Sequence, residues 1–500
     1  MAERVQGATE VQLRPQDLQR PQRIHIVGAG GAAMSGLATI LATMGHVVTG
    51  SDRSDSAVVA RLRRQGIPVV VGHDHPDLTG AELVAASSAV PRSNAELLEA
   101  DRLRIPVVRR AQVLAALCGL RRTVAVAGTK GKTTTTAMVV HILEQAGDRP
   151  SFLVGGELRG IGGVDGGARW VTGSQWMVVE ADESDGTFLR LPVEAAVVTN
   201  IEEDHLDFYG SMDALRGAFD TFTSGASRIR VVGIDTPASA ALAERVGDVT
   251  TYGTSPGAAV RVGEIRTERD RSSFVLQPGS GSPPVPVLLA VPGVHNARNA
   301  TGAIAVTTRL GIPVRTAVAA LGSYRPVGRR FEWRGEGGGI AFIDDYAHVP
   351  SAVTAAIATA RAGGWDRIVA VFQPHLFSRT LALGPGLGAA LAAADLVVVT
   401  DVYASREQPV AGVDGRIVAD AARLARPDIE VHYEADRHRL AGAVRPLLRP
   451  GDLCLTIGAG DITTLADELL TEETVAGDAV AGDAVAGDAV AGGAPDGPAE

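Results

Sequence analysis

Short apolar runs alternate with polar, helix-length stretches over the first 110 residues of the chain. The runs lie at residues 23–27, 46–49, 68–71, 83–86 and 106–108. The interval between the first two runs has apolar residues at helical spacing, from residue 37 to residue 44. Strands that alternate with helices in this way predict an α/β unit with a parallel sheet.

The same alternation continues in two further units. The second begins with a predicted strand at 123–127, and its segment 245–291 is richer in strand signals, which predict an antiparallel edge on a mixed sheet. A helix is predicted from about residue 295 to residue 310. In the third unit, alanine-rich helices separate predicted strands at 340–343, 368–372, 396–400, 430–433 and 452–457.

These patterns predict three α/β domains, as expected for 500 residues at roughly 150 residues a domain. We place the boundaries at 1–121, 122–325 and 326–472. The remaining segment, 473–500, repeats VAGDA and lacks large apolar side chains, which predicts a disordered, acidic, low-complexity tail. The polar residues 1–20 are a second candidate for disorder.

Composition and charge narrow the class of protein. The chain is 45% hydrophobic and 21% charged, and no apolar run approaches the length of a membrane span. The net charge of −10 argues against bulk nucleic-acid binding. The two cysteines, Cys118 and Cys454, are far apart, which excludes a disulfide scaffold and predicts a cytoplasmic protein. The sequence leaves monomer and homodimer open.

The strongest chemical signal is the segment 128–134, GTKGKTT, between a predicted strand and a predicted helix. Glycines let backbone N–H groups approach phosphate oxygens, a lysine reaches the β/γ-phosphates, and a hydroxyl ligates Mg²⁺. Gly128 and Gly131 supply the turn, Lys132 the charge and Thr133 the hydroxyl. The spacing is shorter than the usual P-loop, because valine stands where that pattern has its first glycine. The alternative is a surface turn with a chance lysine.

A second glycine cluster follows the first predicted strand. Gly28, Gly30 and Ala33 nearly match the dinucleotide fingerprint, and Asp52 lies at about the distance of a ribose-binding acid. Three interpretations stay open, namely a nucleotide diphosphate site, an NAD(P) site and a structural turn without a ligand. The phosphate turn at 128–134 favours a nucleotide diphosphate over the NAD(P) of an oxidoreductase.

Two acidic segments follow predicted strands of the second unit. They are EADESD at 180–185 and TNIEEDHLD at 199–207. Carboxylates at the carboxyl ends of parallel strands face the ligand crevice, where Mg²⁺ takes oxygen ligands. With the phosphate turn, the two segments predict a site for one or two Mg²⁺ ions, although each alone is also compatible with a solvated turn. The unclustered cysteines disfavour zinc.

The third unit carries two polar segments directly after predicted strands. They are DDYAH at 344–348 and QPHLFSRT at 373–380. Arg329, Arg330 and Arg379 supply positive charge for an anion. The alternatives are capping histidines and solvated arginines.

Together these segments resemble the Mur ligase family, over about residues 22–470. The resemblance is carried by GAGGAAMSGLA, AVAGTKGKTTTTAM, VVEADESD, VTNIEEDHLD, PGVHNARNA, GRRFE, DDYAH and FQPHLFSRT. The stretch after His205 contains no lysine, which is similar to the alanine-adding branch of the family. The resemblance implies a Rossmann-like N-terminal domain, a central P-loop ATPase-like domain with a mixed sheet, and a Rossmann-like C-terminal domain that closes on ATP.

The resemblance also implies an ATP-dependent ligase of peptidoglycan synthesis. ATP would phosphorylate the muramate carboxylate of UDP-N-acetylmuramate, the amino group of L-alanine would attack the acyl phosphate, and phosphate would leave. Such a reaction depends mainly on positioning and on cations and N–H donors. The implied cofactors are ATP and Mg²⁺.

The family's site residues carry over by motif. The implied ATP-binding residues are Gly128, Thr129, Lys130, Gly131, Lys132, Thr133, Thr134, Asn296 at the adenine, Arg330 at phosphate and Asp345 at the ribose. The implied Mg²⁺ ligands are Thr133, Glu180 and His205. The implied UDP-sugar and amino-acid contacts are Gly28, Gly30, Gly31, Met34, Ser35, Asp52, Ser88, Tyr346, His375 and Arg379. The implied catalytic residues are Lys132, His348, Glu180 and His205.

Four positions depart from the family pattern. Lys130 and Val349 each replace a histidine, Ser351 replaces a threonine, and Leu376 replaces an arginine. Another Mur-type ligase, acting with a different amino acid or a murein tripeptide, and a nucleotide-binding protein without turnover are therefore alternatives. An NAD(P)-dependent oxidoreductase is an alternative from another class, but it leaves 128–134 unexplained.

Overall fold

The computed structural model describes residues 12–74, 77–158, 160–161, 166–405 and 407–471. Within these residues the strands form three β-sheets, of five, ten and six strands. The predicted tail at 473–500 lies outside the described residues. Residues 15–19, which fall in a predicted disordered segment, differ from that expectation, because they form a 3₁₀ turn whose Leu18 is buried.

The first sheet is parallel throughout. Its strands are β1 Arg23–Val27, β2 Val47–Asp52, β3 Val69–Val71, β4 Leu83–Ala86 and β5 Val107–Arg109. Its helices are α1 Ala32–Thr43, α2 Ala57–Arg64, α3 Ala95–Arg102 and α4 Arg110–Cys118. The order β3-β2-β1-β4-β5 reverses direction at β1, and open α/β sheets bind ligands outside the carboxyl ends of the strands at such a switch point.

The second sheet is mixed. Its strands are β6 Arg122–Ala127, β7 Ser151–Leu153, β8 Ala168–Arg169, β9 Trp176–Glu180, β10 Ala195–Val198, β11 Ile229–Gly233, β12 Thr250–Gly253, β13 Val260–Thr267, β14 Ser272–Gln277 and β15 Val285–Leu289. Its helices are α5 Lys132–Gln145, α6 Leu206–Tyr209, α7 Met212–Ser224, α8 Pro237–Val246, α9 Val294–Leu310 and α10 Val314–Leu321. The strand order is β15-β14-β13-β12-β11-β10-β6-β9-β7-β8, and β14 and β15 pair antiparallel, as predicted for 245–291.

The third sheet is parallel apart from its first strand. Its strands are β16 Glu332–Gly337, β17 Ile340–Asp345, β18 Arg367–Phe372, β19 Leu396–Thr400, β20 Glu430–Glu434 and β21 Asp452–Ile457. Its helices are α11 Pro350–Ala362, α12 Phe377–Leu391, α13 Arg416–Ala425 and α14 Leu440–Val444. The order is β16-β17-β21-β18-β19-β20, with β16 antiparallel to β17. The prediction of an α/β fold with parallel and mixed sheets is therefore confirmed.

Buried apolar strands explain these sheets. All five residues from Thr123 to Ala127 of β6 are buried, as is the whole of β19. Strands covered by helices on both faces consist of continuous apolar residues, and for this reason they could be predicted from the sequence. The described chain divides into two compact units between Gly328 and Arg329, and the first two sheets belong to one unit. Among the described residues, no helix has both the length and the apolar character needed to cross a bilayer.

Candidate functional site

The predicted phosphate turn lies between β6 and α5. Its glycines have φ angles that side chains resist, 130° at Gly128 and 81° at Gly131. A Cβ on Gly128 would lie 2.1 Å from Oγ1 of Thr199, and one on Gly131 would lie 2.3 Å from Oδ1 of Asn299. Both positions therefore require glycine. Gly131 is also the N-cap of α5, so the N-terminus of this helix, which favours an anion, lies at the phosphate turn.

Two residues that follow β10 hold the turn in place. The carbonyl oxygen of Asn200 accepts the N–H of Thr129 at 3.0 Å, and its Oδ1 accepts the N–H of Lys130 at 3.0 Å. Oγ1 of Thr199 donates to the carbonyl oxygen of Lys130 at 2.6 Å. The Lys130 ammonium pairs with the carboxylate of Glu202. The charge added by this departure from the family pattern thus has an acidic partner.

Lys132 lies in the first turn of α5, and its side chain is only 13% exposed. Its Nζ lies 2.8 Å from a carboxylate oxygen of Glu183 and donates to the carbonyl oxygen of Gly128, also at 2.8 Å. Burial opposes the charge, but the carboxylates of Glu183, Asp182 and Glu180 outweigh it and hold the pKa of Lys132 above its ordinary value. The lysine therefore stays protonated at neutral pH, and its charge is available to a phosphate.

Two of the three predicted Mg²⁺ ligands, Thr133 and Glu180, are in contact with each other. Oγ1 of Thr133 donates to Oε1 of Glu180 at 3.0 Å, while Nε2 of His205 lies 4.0 Å from Oε1 of Glu183. Thr134, the next residue of α5, is buried. Across the described ranges, no group of three or more His, Cys, Asp and Glu side chains is arranged to hold a metal ion. An ion at this site would therefore also need oxygens from the nucleotide or from water.

Asn296, the predicted adenine contact, lies in the first turn of α9. Its side chain is buried, and Nδ2 donates to the carbonyl oxygen of Pro292 at 2.7 Å. Asn299, one turn further on, donates to Oδ1 of Asn296 at 3.4 Å and lies against Gly131. The two asparagines thus connect the start of α9 to the phosphate turn.

The glycine turn of the first domain lies between β1 and α1. Gly28 has a φ of 81°, and the N–H of Gly30 donates to Oδ2 of Asp52 at 2.7 Å. Gly31 is the N-cap of α1, with a φ of −67°. The structure therefore brings the predicted residues Gly28, Gly30, Gly31 and Asp52 together at the carboxyl edge of the first sheet.

Three other predicted residues of this site differ from one another in their exposure to solvent. The side chains of Met34 and Ser35 are buried in α1, and Oγ of Ser35 donates to the carbonyl oxygen of Ala32. Ser88, in contrast, is exposed on the loop after β4. Arg109 holds this loop, because its Nη1 donates to the carbonyl oxygens of Ser87 and Val90. The substrate contacts predicted for these three residues remain predictions.

In the second compact unit, Asp345 ends β17. Its carboxylate oxygens accept the N–H groups of Phe331 and Ala347, each at 2.8 Å. Burial raises the pKa of Asp345 to about 6, against the attraction of Arg330. The guanidinium of Arg330 lies 5.1 Å from the ring centroid of Tyr346. These three predicted residues thus form one cluster.

The predicted residues His348, His375 and Arg379 extend this cluster. The rings of His348 and His375 are 6.3 Å apart, and Nη1 of Arg379 lies 3.1 Å from Nδ1 of His375. Burial, together with the charges of Arg379 and Arg330, lowers the pKa of His348 to about 4. His348 is therefore neutral at pH 7 inside a cationic cluster.

Several residues that shape these sites had no individual role predicted from the sequence. They are Thr199, Asn200, Asn299 and Tyr403. The ring of Tyr403 stacks on His375 at a centroid distance of 5.8 Å. The spacing of Asn296 and Asn299, three residues apart on one predicted helix, is a signal that identifies a shared face. The roles of Asn200 and Tyr403 depend on pairing between distant strands.

Three family models match consecutive parts of the chain. The Mur ligase family, catalytic domain matches residues 23–122, the Mur ligase middle domain matches 126–307, and the Mur ligase, glutamate ligase domain matches 329–460. Together they cover most of the sequence. The chain belongs to the Mur ligase family. Because these matches include both glycine turns, the oxidoreductase alternative is set aside.

Curated relatives agree with the family. The chain is 42% identical to the UDP-N-acetylmuramate–L-alanine ligase of Bradyrhizobium sp. (strain ORS 278), over 90% of this chain and 97% of the relative. It is 44% identical to the protein of that name from Kineococcus radiotolerans, over 90% of this chain and 95% of the relative.

Solved structures support the same conclusion. The crystal structure of UDP-N-acetylmuramate-alanine ligase from Thermotoga maritima matches with a TM-score of 0.79 and 28% identity, and it covers 91% of this chain and 100% of that chain. A murein peptide ligase from Psychrobacter arcticus matches in fold, with a TM-score of 0.66 and 23% identity, over 90% and 98% of the two chains. The predicted three-domain Mur ligase architecture is confirmed.

Proposed function

We propose that this chain is an ATP-dependent ligase that joins L-alanine to the muramate carboxylate of UDP-N-acetylmuramate. A carboxylate oxygen attacks the γ-phosphorus of ATP, and ADP leaves. The amine of L-alanine then attacks the carbonyl carbon of the acyl phosphate, an amide bond forms, and inorganic phosphate leaves. This reaction takes two substrates and ATP to a UDP-linked amide, ADP and phosphate.

The observation that carries the proposal is the largely buried cation of the phosphate turn. Lys132 remains charged, lies at the start of α5 directly after the N-cap Gly131, and donates to the carbonyl oxygen of Gly128. Phosphoryl transfer depends on positioning and on stabilising negative charge at the transferring group. A fixed lysine next to helix N–H groups supplies both.

Mg²⁺ fits the oxygen-rich chemistry beside this turn. The hydroxyl of Thr133 and the carboxylate of Glu180 are in hydrogen-bond contact, and hard oxygen donors suit Mg²⁺. We assign these two residues and His205 to the ion. When bound, Mg²⁺ neutralises charge on the nucleotide phosphates. The residues themselves orient the nucleotide and keep the phosphate turn in its bound shape.

The cationic cluster of the second compact unit is assigned to the acyl and amine groups. Arg330 and Arg379 supply positive charge for anionic groups of the substrates. His348 is neutral at pH 7, so one of its ring nitrogens can accept a hydrogen bond from the attacking amine. Tyr403 holds the ring of His375 by stacking. We assign Asp345 to the ribose of ATP.

The test is phosphate release from ATP in the presence of UDP-N-acetylmuramate. L-Alanine, glycine, L-serine and a murein tripeptide are compared at equal concentrations, with detection of the amide product by mass spectrometry. We expect the highest kcat/KM with L-alanine. A higher value with the tripeptide would replace the proposal with a murein-recycling ligase, and ATP binding without turnover for any acceptor would replace it with a binding protein.

A further inference from the structure

A buried polar network lies below the glycine turn of the first domain. Its centre is Glu96 of α3, whose side chain is 4% exposed. Oε1 of Glu96 lies 3.1 Å from Nε2 of His25, and Oε2 lies 2.8 Å from Nδ1 of His73 and 2.6 Å from Oγ of Ser51. A buried carboxylate costs stability unless it is fully paired. Three polar side chains, those of His25, His73 and Ser51, contact the carboxylate of Glu96.

The hydrogen bonds fix where the protons lie. Burial opposes ionisation of Glu96, but hydrogen bonds from His25, Ser51 and His73 outweigh it and hold the pKa of Glu96 below its ordinary value. An ionised carboxylate only accepts, so Nε2 of His25 and Nδ1 of His73 must donate to it. The other nitrogen of His25 accepts from Oγ1 of Thr49 at 2.9 Å, so both nitrogens of His25 are satisfied inside the core.

His73 differs from His25 in where its second nitrogen points. Since Nδ1 is turned towards Glu96, Nε2 faces away from the buried carboxylate. The side chain of His73 is 21% exposed, and the residue follows β3 at the carboxyl edge of the first sheet. Ser51, which contacts His73, accepts the N–H groups of Gly28 and Ala29 with its carbonyl oxygen, each at 2.9 Å. Ser51 therefore links the ring of His73 to the glycine turn, through its hydroxyl on one side and its carbonyl oxygen on the other.

We propose that Glu96 is a positioning residue of the UDP-sugar site, which holds Nδ1–H of His73 and so fixes the orientation of the ring, with Nε2 facing the diphosphate at the glycine turn. The inference rests on the proposed function, because it assumes that the turn binds a UDP-sugar. A histidine whose partner holds one nitrogen presents the other in a defined state. Because Nδ1–H is held by Glu96, Nε2 donates to a phosphate oxygen only from the doubly protonated ring, whose positive charge the carboxylate balances.

The experiment compares the wild type with Glu96→Gln, which keeps the size of the side chain and removes its charge. Binding of UDP and of uridine is measured by competition against UDP-N-acetylmuramate. We expect UDP affinity to fall about tenfold, since one oriented hydrogen bond is lost, and uridine affinity to stay unchanged. The matched control is Glu99→Gln on the same helix, a half-buried residue whose carboxylate pairs with Arg102 and not with the network, and this variant should bind both ligands like the wild type.

A purely structural role would weaken UDP and uridine equally, and unchanged UDP binding would remove any role for Glu96; either result overturns the inference. A second variant, His73→Gln, removes the presented ring and leaves the carboxylate in place. We expect Glu96→Gln to change UDP affinity less than twofold in that background, because the two residues act through one contact. Additive losses would contradict this.

The two proposals can fail separately. If the wild type and Glu99→Gln both fail to bind UDP-N-acetylmuramate, the proposed function is wrong and the inference falls with it. If both bind it and Glu96→Gln binds UDP equally well, only the role of Glu96 is wrong. Thermal unfolding of each variant establishes that the chain is folded in the binding assay.

Discussion

Two turns of this molecule share one local structure and differ in charge. Each joins a buried parallel strand to a helix through glycines, β1 to α1 in the first domain and β6 to α5 in the second. In the second turn, the cation is built into the helix as Lys132 and is paired with Glu183. In the first turn, the side chain of Asp52 accepts an N–H of the turn, and the network around Glu96 is linked to the turn through Ser51.

The glycines of the two turns also differ in what an added Cβ would contact. Gly128 and Gly131 of the second turn both have positive φ, and a Cβ on either would collide with a residue from another element. In the first turn, a Cβ on Gly31 would lie 3.6 Å from the nearest atom, which is an ordinary contact. The difference shows that glycine-rich strings of similar appearance contain both required and replaceable glycines. The positive charge of the second turn lies within its string, at Lys130 and Lys132, whereas Asp52 and Glu96 lie outside the string of the first turn.

The largest expected effect is on Lys132. We expect Lys132→Gln to reduce ATP-dependent phosphate release by about a thousandfold, because the fixed charge at the transferring phosphate is lost. The variant also leaves Glu183 buried without its partner, which should cost about 3–5 kcal/mol of stability. Phosphate release and urea unfolding measure the two losses.

A double variant separates these losses. Lys132→Gln with Glu183→Gln should recover most of the stability and none of the activity, because the buried charge is removed along with its partner. Lys130→Gln is the matched control, since Lys130 lies in the same turn and its side chain is more exposed, and it should lose about tenfold or less. Equal losses for the two lysines would contradict the distinct role of Lys132.

The next effect compares the glycines themselves. Gly131→Ala should cost about 1–3 kcal/mol and raise the KM for ATP at least tenfold, because the new Cβ meets Asn299 at a positive φ. Gly31→Ala should cost under about 1 kcal/mol and leave the KM for UDP-N-acetylmuramate within about threefold. Similar losses in both variants would mean that the two turns do not differ as described. Steady-state kinetics and thermal unfolding decide this.

Much of the fold follows from the sequence, because buried strands such as β6 and β19 are continuous apolar runs. Four strands escaped prediction, namely β7, β8, β13 and β16, and the last two did so for physical reasons. β13 alternates polar and apolar residues, contains Gly263 and has an irregular register with β14. β16 reads EWRGEG and lies at the edge of its sheet, so few of its residues need to be apolar.

The candidate site was predictable only as separate motifs. Gly128 and Lys132 are visible in the sequence because the chemistry of a phosphate turn demands them. Asn200 and Asn299 contact the same turn, yet they lie about 70 and 170 residues away in the chain, so their contacts depend on how β10 and α9 are placed. The pairing of Tyr403 with His375 likewise depends on a bridge between two distant loops.

A smaller effect concerns the acid of the first turn. Asp52→Ala removes the acceptor for the N–H of Gly30, so the turn loses its side-chain support. We expect the KM for UDP-N-acetylmuramate to rise about fivefold, in line with the loss of one hydrogen bond, and the KM for ATP to stay unchanged. A rise in the KM for ATP would show that the two turns are coupled, and a lower KM for the UDP-sugar would show that Asp52 repels it.

The smallest expected effect is on the acid stability of the first domain, and it distinguishes its buried carboxylate from a half-buried one. The pKa of Glu96 is lower in the folded chain than its ordinary value, because hydrogen bonds from His25, Ser51 and His73 outweigh the opposing effect of burial. A carboxyl group of this kind stabilises the fold above its unfolded pKa, and the contribution is lost as the pH falls through the folded pKa.

Glu96→Gln should therefore lower the Tm by about 2–4 °C at pH 7, and the difference from the wild type should shrink as the pH falls below about 4.5. Glu99→Gln, on the same helix, should leave the Tm unchanged at both pH values. A difference between the wild type and Glu96→Gln that grows in acid would show that Glu96 is protonated in the folded chain at neutral pH, and the ionised network beside the first turn would then be wrong.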